Sequence, residues 1–131
     1  MENNFSIEFS FSQDEVEKFA RLTGDTNPIH LDQEYAAKTF FKKRILHGFL
    51  GASVFSRIFG TLYPGEGTVY LKQELKFLAP MFVDTQYKAI VELIEVIAEK
   101  KRARLKTHIT DKDNNVIISG EALVQNQIYS E

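Results

Sequence analysis

Cysteine is absent from the 131 residues, which excludes a disulfide framework, a thiol nucleophile and a cysteine-ligated metal, and accords with a reducing cytoplasm. An excess of positive charge is also missing. The chain has 16 Lys and Arg against 18 Asp and Glu, a net charge of −2, so no global field is available to hold a nucleic-acid backbone. Nor is there a long uninterrupted apolar run: the richest stretch, from about Phe49 to Phe59, is broken by Ser53, Ser56 and Arg57. The opening Met1-Glu2-Asn3-Asn4 carries no basic region, and neither export nor membrane insertion is expected. What is present is ordinary globular composition, 44% hydrophobic and 26% charged. Residues 1–131 are expected to form a single domain with a real core, without repeats or linkers.

Phe5, Ile7, Phe9 and Phe11 alternate with Ser6, Glu8 and Ser10, the period-two pattern of a strand with one buried face. Ser12-Gln13-Asp14-Glu15 then reads as a capping box with Phe11 and Val16 placed as a hydrophobic staple, so a helix is predicted from about Gln13 to Leu22. Gly24 stands where a left-handed C-cap ends that helix, and Asn27-Pro28 disfavours an immediate restart, leaving Asp25 to His30 as a constrained loop. Asp32 caps a second short helix through about Lys38. From Gly48 to Tyr63 the apolar residues surround the helical pattern instead of lining one stripe, which predicts a buried helix. Gly48, Gly51, Ala52, Ser53, Ser56 and Gly60 are small and admit close approach of other backbone or of a ligand.

After Gly67 the pattern is strand throughout: Val69 to Phe77 with Pro80 beyond, Thr85 to Val96, Arg102 to Thr110, and Val116 to Gln125, the last two joined by the turn Asp111-Lys112-Asp113-Asn114-Asn115. Four strands joined by short turns, after one apolar helix, imply an α+β fold in which an antiparallel sheet wraps that helix; a more open sheet with helices on one side is the alternative.

Thr23-Gly24-Asp25-Thr26-Asn27-Pro28-Ile29-His30, followed by Ile45-Leu46-His47-Gly48-Phe49-Leu50, resembles the MaoC-type (R)-specific enoyl-CoA hydratases of the hot-dog fold. The distinctive part runs from Thr23 to about Val83. The resemblance implies an acid–base pair, Asp25 and His30, acting on one water to hydrate trans-2-enoyl-CoA to (R)-3-hydroxyacyl-CoA without a metal or redox cofactor. Asp and His have unperturbed pKa values of about 3.9 and 6.5, which suits proton exchange with water near neutrality. Which member is acid and which base stays open, as coupled groups share their titration. The bland alternative is that Asp25 only makes an Asx-turn over Asn27 and that His30 is a core histidine.

Charge collecting on the thioester oxygen needs donors. Gly48, opening the apolar helix, offers unpaired backbone N–H groups at the positive end of the dipole; the alternative is a glycine required only for packing. Ser56, two turns along, matches a serine lining the acyl pocket in the family, and a small buried hydroxyl bonded to the preceding turn is the other reading. Phe49 and the basic run Lys42-Lys43-Arg44 complete the expected substrate-facing set with Asn27, which together with Pro28 fixes the loop. Lys100-Lys101-Arg102 is a second basic run. Arg44 stands where the family commonly has proline and Phe49 where it has methionine. His47 reads as a helix-entry residue bonded locally, and His108 as pointing to solvent. The three histidines lie too far apart in the chain for a metal-ligand spacing.

An acyl-carrier-protein dehydratase, a hot-dog thioesterase and a non-catalytic acyl-thioester binding module are the other readings. The lack of Asp or Glu between His47 and Pro64 argues against the thioesterase. A sheet around one helix leaves an edge strand and an apolar face uncovered, so a homodimer is expected.

Overall fold

The computed structural model describes residues 2–131. Strand β1 (Asn4–Phe9) is followed by helix α1 (Gln13–Thr23), which starts at the capping box: Glu15 N–H donates to Ser12 Oγ (3.2 Å) and Ser12 N–H to Glu15 Oε1 (2.9 Å). Gly24, at φ 82°, closes it, donating its N–H to Ala20 O (2.8 Å). Val16 and Ala20 are the buried face of α1.

The expected loop from Asp25 to His30 is only half a loop. A helical turn, α2 (Pro28–Leu31), begins at the proline. Pro28 does not block the restart because it occupies the first helical position, where its missing N–H is no loss, and Asn27 caps the turn by accepting from Ile29 N–H (3.2 Å). Asp32 then caps α3 (Gln33–Ala37) through Tyr35 N–H (3.1 Å).

Helix α4 (Gly48–Arg57) continues as a π-helical segment to Leu62. Leu50, Gly51, Val54, Phe55, Ile58 and Phe59 are buried, whereas Phe49, Ser53, Ser56, Arg57 and Gly60 are exposed. The helix is therefore not enclosed on all sides, as its composition suggested: one sheet covers one side. Gly51 is dictated by packing, since a Cβ there would lie 1.8 Å from Met81 Cε, while among the described residues nothing lies within 4 Å of a Cβ built on Gly60.

The sheet contains β2 (Val69–Phe77), β3 (Tyr87–Ile97), β4 (Arg102–Thr110) and β5 (Val116–Gln125) besides β1, in the order β1-β3-β4-β5-β2, antiparallel throughout. Ala103, Leu105, Thr107 and Ile109 of β4 face the core. A bulge in β2 between Tyr70 and Lys72 shifts the register and puts Tyr70, not Leu71, opposite buried Val124, with its ring 5.3 Å from Phe59. The β2–β3 connection is not a short turn. It runs from Leu78 to Gln86 and its Met81 carbonyl accepts from Leu46 N–H (2.9 Å), fixing the approach to α4.

Candidate active site

Three segments converge at the N-terminal end of α4. The first is the link between α1 and α2. Thr23 Oγ1 bonds Phe19 O (2.8 Å) and accepts from Asp25 N–H (3.2 Å), while Asp25 Oδ1 accepts from Asn27 N–H (3.3 Å). The Asx-turn is real, and it also holds the carboxylate. The second segment is α2, whose buried His30 is clamped on both sides: Gln13 Nε2 donates to its carbonyl (2.9 Å), and its Nδ1–H donates to Ile45 O (2.8 Å). A carbonyl only accepts, so Nδ1 carries the proton and Nε2 is bare when the ring is neutral. Burial lowers the His30 pKa; the Ile45 bond opposes this, His47 lowers it further and Asp25 raises it, for a net downward shift.

The third segment is Ile45-Leu46-His47. His47 is not bonded locally: its Nε2 lies 3.0 Å from Asp25 O, and its ring stacks on His30 with centroids 3.8 Å apart and planes 28° apart. Two of the three histidines are thus neighbours, contrary to what their spacing implied. Ligand atoms of Asp25, His30 and His47 lie within 4.8 Å of one another, with one nitrogen of each ring bonded to a backbone carbonyl. His108 is elsewhere, on β4, half-buried instead of solvent-facing, with Glu92 3.9 Å away; burial lowers its pKa, opposed by Glu92.

A cleft of about 440 Å³ opens beside this group, in the size range of small-molecule sites. His30, Gly48, Phe49, Phe77 and Met81 line it. Asp25 does not; its exposed carboxylate lies beside the histidine pair. The N-cap residue His47 makes no side-chain capping bond, so the first N–H groups of α4 are left at the cleft end of the helix. A Cβ on Gly48 would lie 2.7 Å from Phe77 Cε1, so a larger residue here requires the Phe77 ring to shift. Phe49 is 68% exposed and its ring leans on Phe77 at 5.6 Å. Lys42-Lys43-Arg44 sits between two lining residues, Phe41 and Ile45: Lys43 Nζ lies 4.3 Å over the Phe82 ring and Arg44 Nη1 donates to Leu31 O (3.4 Å). Asn27 bonds its own turn, and Ser56 is on the exposed face of α4, not in the cleft. Lys101 forms the left-handed turn between β3 and β4.

An antiparallel five-stranded sheet packed against one helix is the hot-dog arrangement, and here a carboxylate and an imidazole lie close to that helix's N-terminus beside an apolar cleft. Residues 1–116 match the family described as MaoC like domain, and the chain belongs to that family. It is 42% identical to the (R)-specific enoyl-CoA hydratase of Aeromonas caviae, over 88% of this chain and 86% of that one. It is 44% identical to the 3-hydroxybutyryl-CoA dehydratase of Methylorubrum extorquens, over 87% and 72%. The solved (R)-hydratase from A. caviae superposes with a TM-score of 0.90 at 39% identity, covering 93% of this chain and 92% of that one.

Proposed function

We propose that this chain is an (R)-specific enoyl-CoA hydratase, a hydro-lyase that reversibly adds water to trans-2-enoyl-CoA. The observation that carries this reading is the meeting of Asp25 and His30 at the Gly48 end of α4. In the hydration direction a water between the pair gives one proton to the bare Nε2 of His30, while its other O–H donates a hydrogen bond to the Asp25 carboxylate, which orients it, and stays on the oxygen. The water oxygen bonds to C3, and the π electrons move onto the thioester oxygen, where the Gly48 N–H stabilises them. Collapse of this enolate takes a proton from the pair at C2. One water has then been added across the double bond, and the pair is restored. The predominantly apolar cleft suits an acyl chain, and Lys42, Lys43 and Arg44 at its margin suit the phosphates of a coenzyme or the acidic surface of a carrier protein.

A carrier-protein version is favoured by one observation, the 33% identity to a mitochondrial 3-hydroxyacyl-[acyl-carrier-protein] dehydratase of Arabidopsis thaliana over 86% of this chain and 68% of that one. The exposed face of α4 and the edge strand β2, with Phe49, Val69, Leu71 and Phe77 uncovered, support a homodimer in which a second copy covers them and brings Ser56 against the acyl chain. The absence of cysteine supports a cytoplasmic setting; among the described residues no helix is long and apolar enough to cross a membrane.

The test is hydration of crotonyl-CoA, followed as loss of enoyl-thioester absorbance together with free thiol, and repeated with the crotonyl carrier-protein thioester. Absorbance is expected to fall without thiol release. Asp25→Asn and His30→Ala are each expected to lower turnover by at least about 10² with folding retained. Near-normal turnover in either variant refutes the pair.

A further inference from the structure

We infer that His47 is a positioning residue that holds both members of the acid–base pair in register with the N-terminus of α4. The inference rests on the reading of Asp25 and His30 as that pair.

His47 occupies the N-cap of α4, yet its side chain makes no capping bond. Serine, threonine, asparagine and aspartate serve that position because they accept from the first free N–H groups; an imidazole that does not cap is not there for the helix. Nor is it there as filler. The ring is 2% exposed, and its Nδ1 is buried without a partner among the described residues, a cost to stability that phenylalanine or leucine in the same space would not carry.

What the imidazole supplies is a donor and a flat face in one rigid group. The carbonyl of Asp25 can only accept, so the Nε2–H of His47 donates to it. The ring packs against Phe19 of α1, centroids 4.8 Å apart, and against His30 of α2. One residue therefore touches both members of the pair, and it is bonded covalently to Gly48, the first residue of α4. The base, the carboxylate and the candidate oxyanion donor share a single reference point. Without it Asp25 would depend on the exposed turn from Thr23 to Asn27, whose internal hydrogen bonds are 3.1 to 3.3 Å long.

The test compares His47→Phe, which keeps the ring and removes the donor, with His47→Gln, whose amide N–H reaches the position of Nε2. His47→Met replaces the first variant should it not fold. With crotonyl-CoA, His47→Phe is expected to lose about 10²-fold in kcat, the scale of a misplacement of about 1 Å, with KM and Tm little changed. His47→Gln is expected to recover about tenfold of that loss, on the same scale. A packing role predicts a lower Tm and no recovery. Wild-type kcat in His47→Phe, equal losses in both variants, or a loss carried by KM each overturns the inference. Asp25→Asn and His30→Ala are assayed beside them. If those stay active, the pair is refuted and the inference falls with it; if they are silent while His47→Phe turns over normally, only the positioning role falls.

Discussion

Replacing Gly48 by proline removes the backbone donor and puts the ring Cδ where its hydrogen pointed. Gly48 is the first residue of α4, where proline is well tolerated and its N–H is otherwise an orphan. The preceding His47 lies at φ −61° and ψ 133°, a conformation that a residue before proline favours. The variant does add a Cβ, 2.7 Å from a Phe77 ring carbon, where carbon contacts settle at about 3.5–4.0 Å. Phe77 must yield by about 1 Å. It is 47% exposed at the sheet edge and can do so. Loosening the Phe49–Phe77 contact costs about 0.5–1.5 kcal/mol, and the reduced freedom of the unfolded chain returns about 0.4–1 kcal/mol, so net stability changes little. Gly48→Ala adds the same Cβ and keeps the N–H, which makes it the control for the Phe77 contact. If the thioester oxygen is held by this N–H, kcat for crotonyl-CoA falls a further 10²–10³-fold, roughly, from the alanine to the proline variant. Circular dichroism and Tm establish that both are folded. Equal kcat in the two variants would refute the donor and leave Gly48 as a packing glycine.

With His30 required neutral, its downward-shifted pKa places the acid limb of the kcat/KM profile below about pH 6.5; a midpoint above that value contradicts His30 as the base. His108 is also shifted downward by burial, so on acidification below about 6.5 the unfolded chain takes up its proton first and stability is lost as pH falls. His108→Gln should flatten the decline of Tm between about pH 7 and 5, and an unchanged slope counts against this. Gly120→Ala would place a Cβ 1.8 Å from the backbone oxygen of Glu74, which cannot swing aside as a side chain does. A loss of about 3 kcal/mol or more, read by urea denaturation, is expected, and a variant as stable as the parent would show that β2 shifts freely against β5.

The elements that local chemistry decides were readable from their residues. The Ser12–Glu15 box, the left-handed Gly24, the alternation along β4 and the Asp111 turn, whose carboxylate accepts from the N–H groups of Asp113 and Asn115 (2.9 and 3.0 Å), each depend on partners a few positions away. The bulge at Leu71 does not. It is set by the need to bring Tyr70 over Phe59 and Gln73 across Gly120 to Thr107 (2.9 Å), contacts with distant parts of the chain. The open face of α4 was hidden for a related reason: composition shows that a helix is apolar all round, but not whether its own sheet or a second chain covers each side.

The site divides along the same line. Asp25 and His30 stand out because an Asx-turn, a proline-started helical turn and a histidine follow one another closely, and the turn that looked like a rival explanation of Asp25 is what aims its carboxylate. His47 was missed because the direction of its ring is settled by a carbonyl 22 positions away, left free where α1 ends and α2 has not yet begun. A signal was available nonetheless. Histidine is a poor N-cap, Gly48 after it has no side chain to help, and no Ser, Thr, Asp or Asn stands near enough to cap α4 in its place. An uncapped helix whose first turn faces a cleft is worth its cost only if something else uses the free donors, and a histidine that does not cap must be bonding elsewhere. Together those two conditions mark His47-Gly48 as part of the candidate site as well as a helix start.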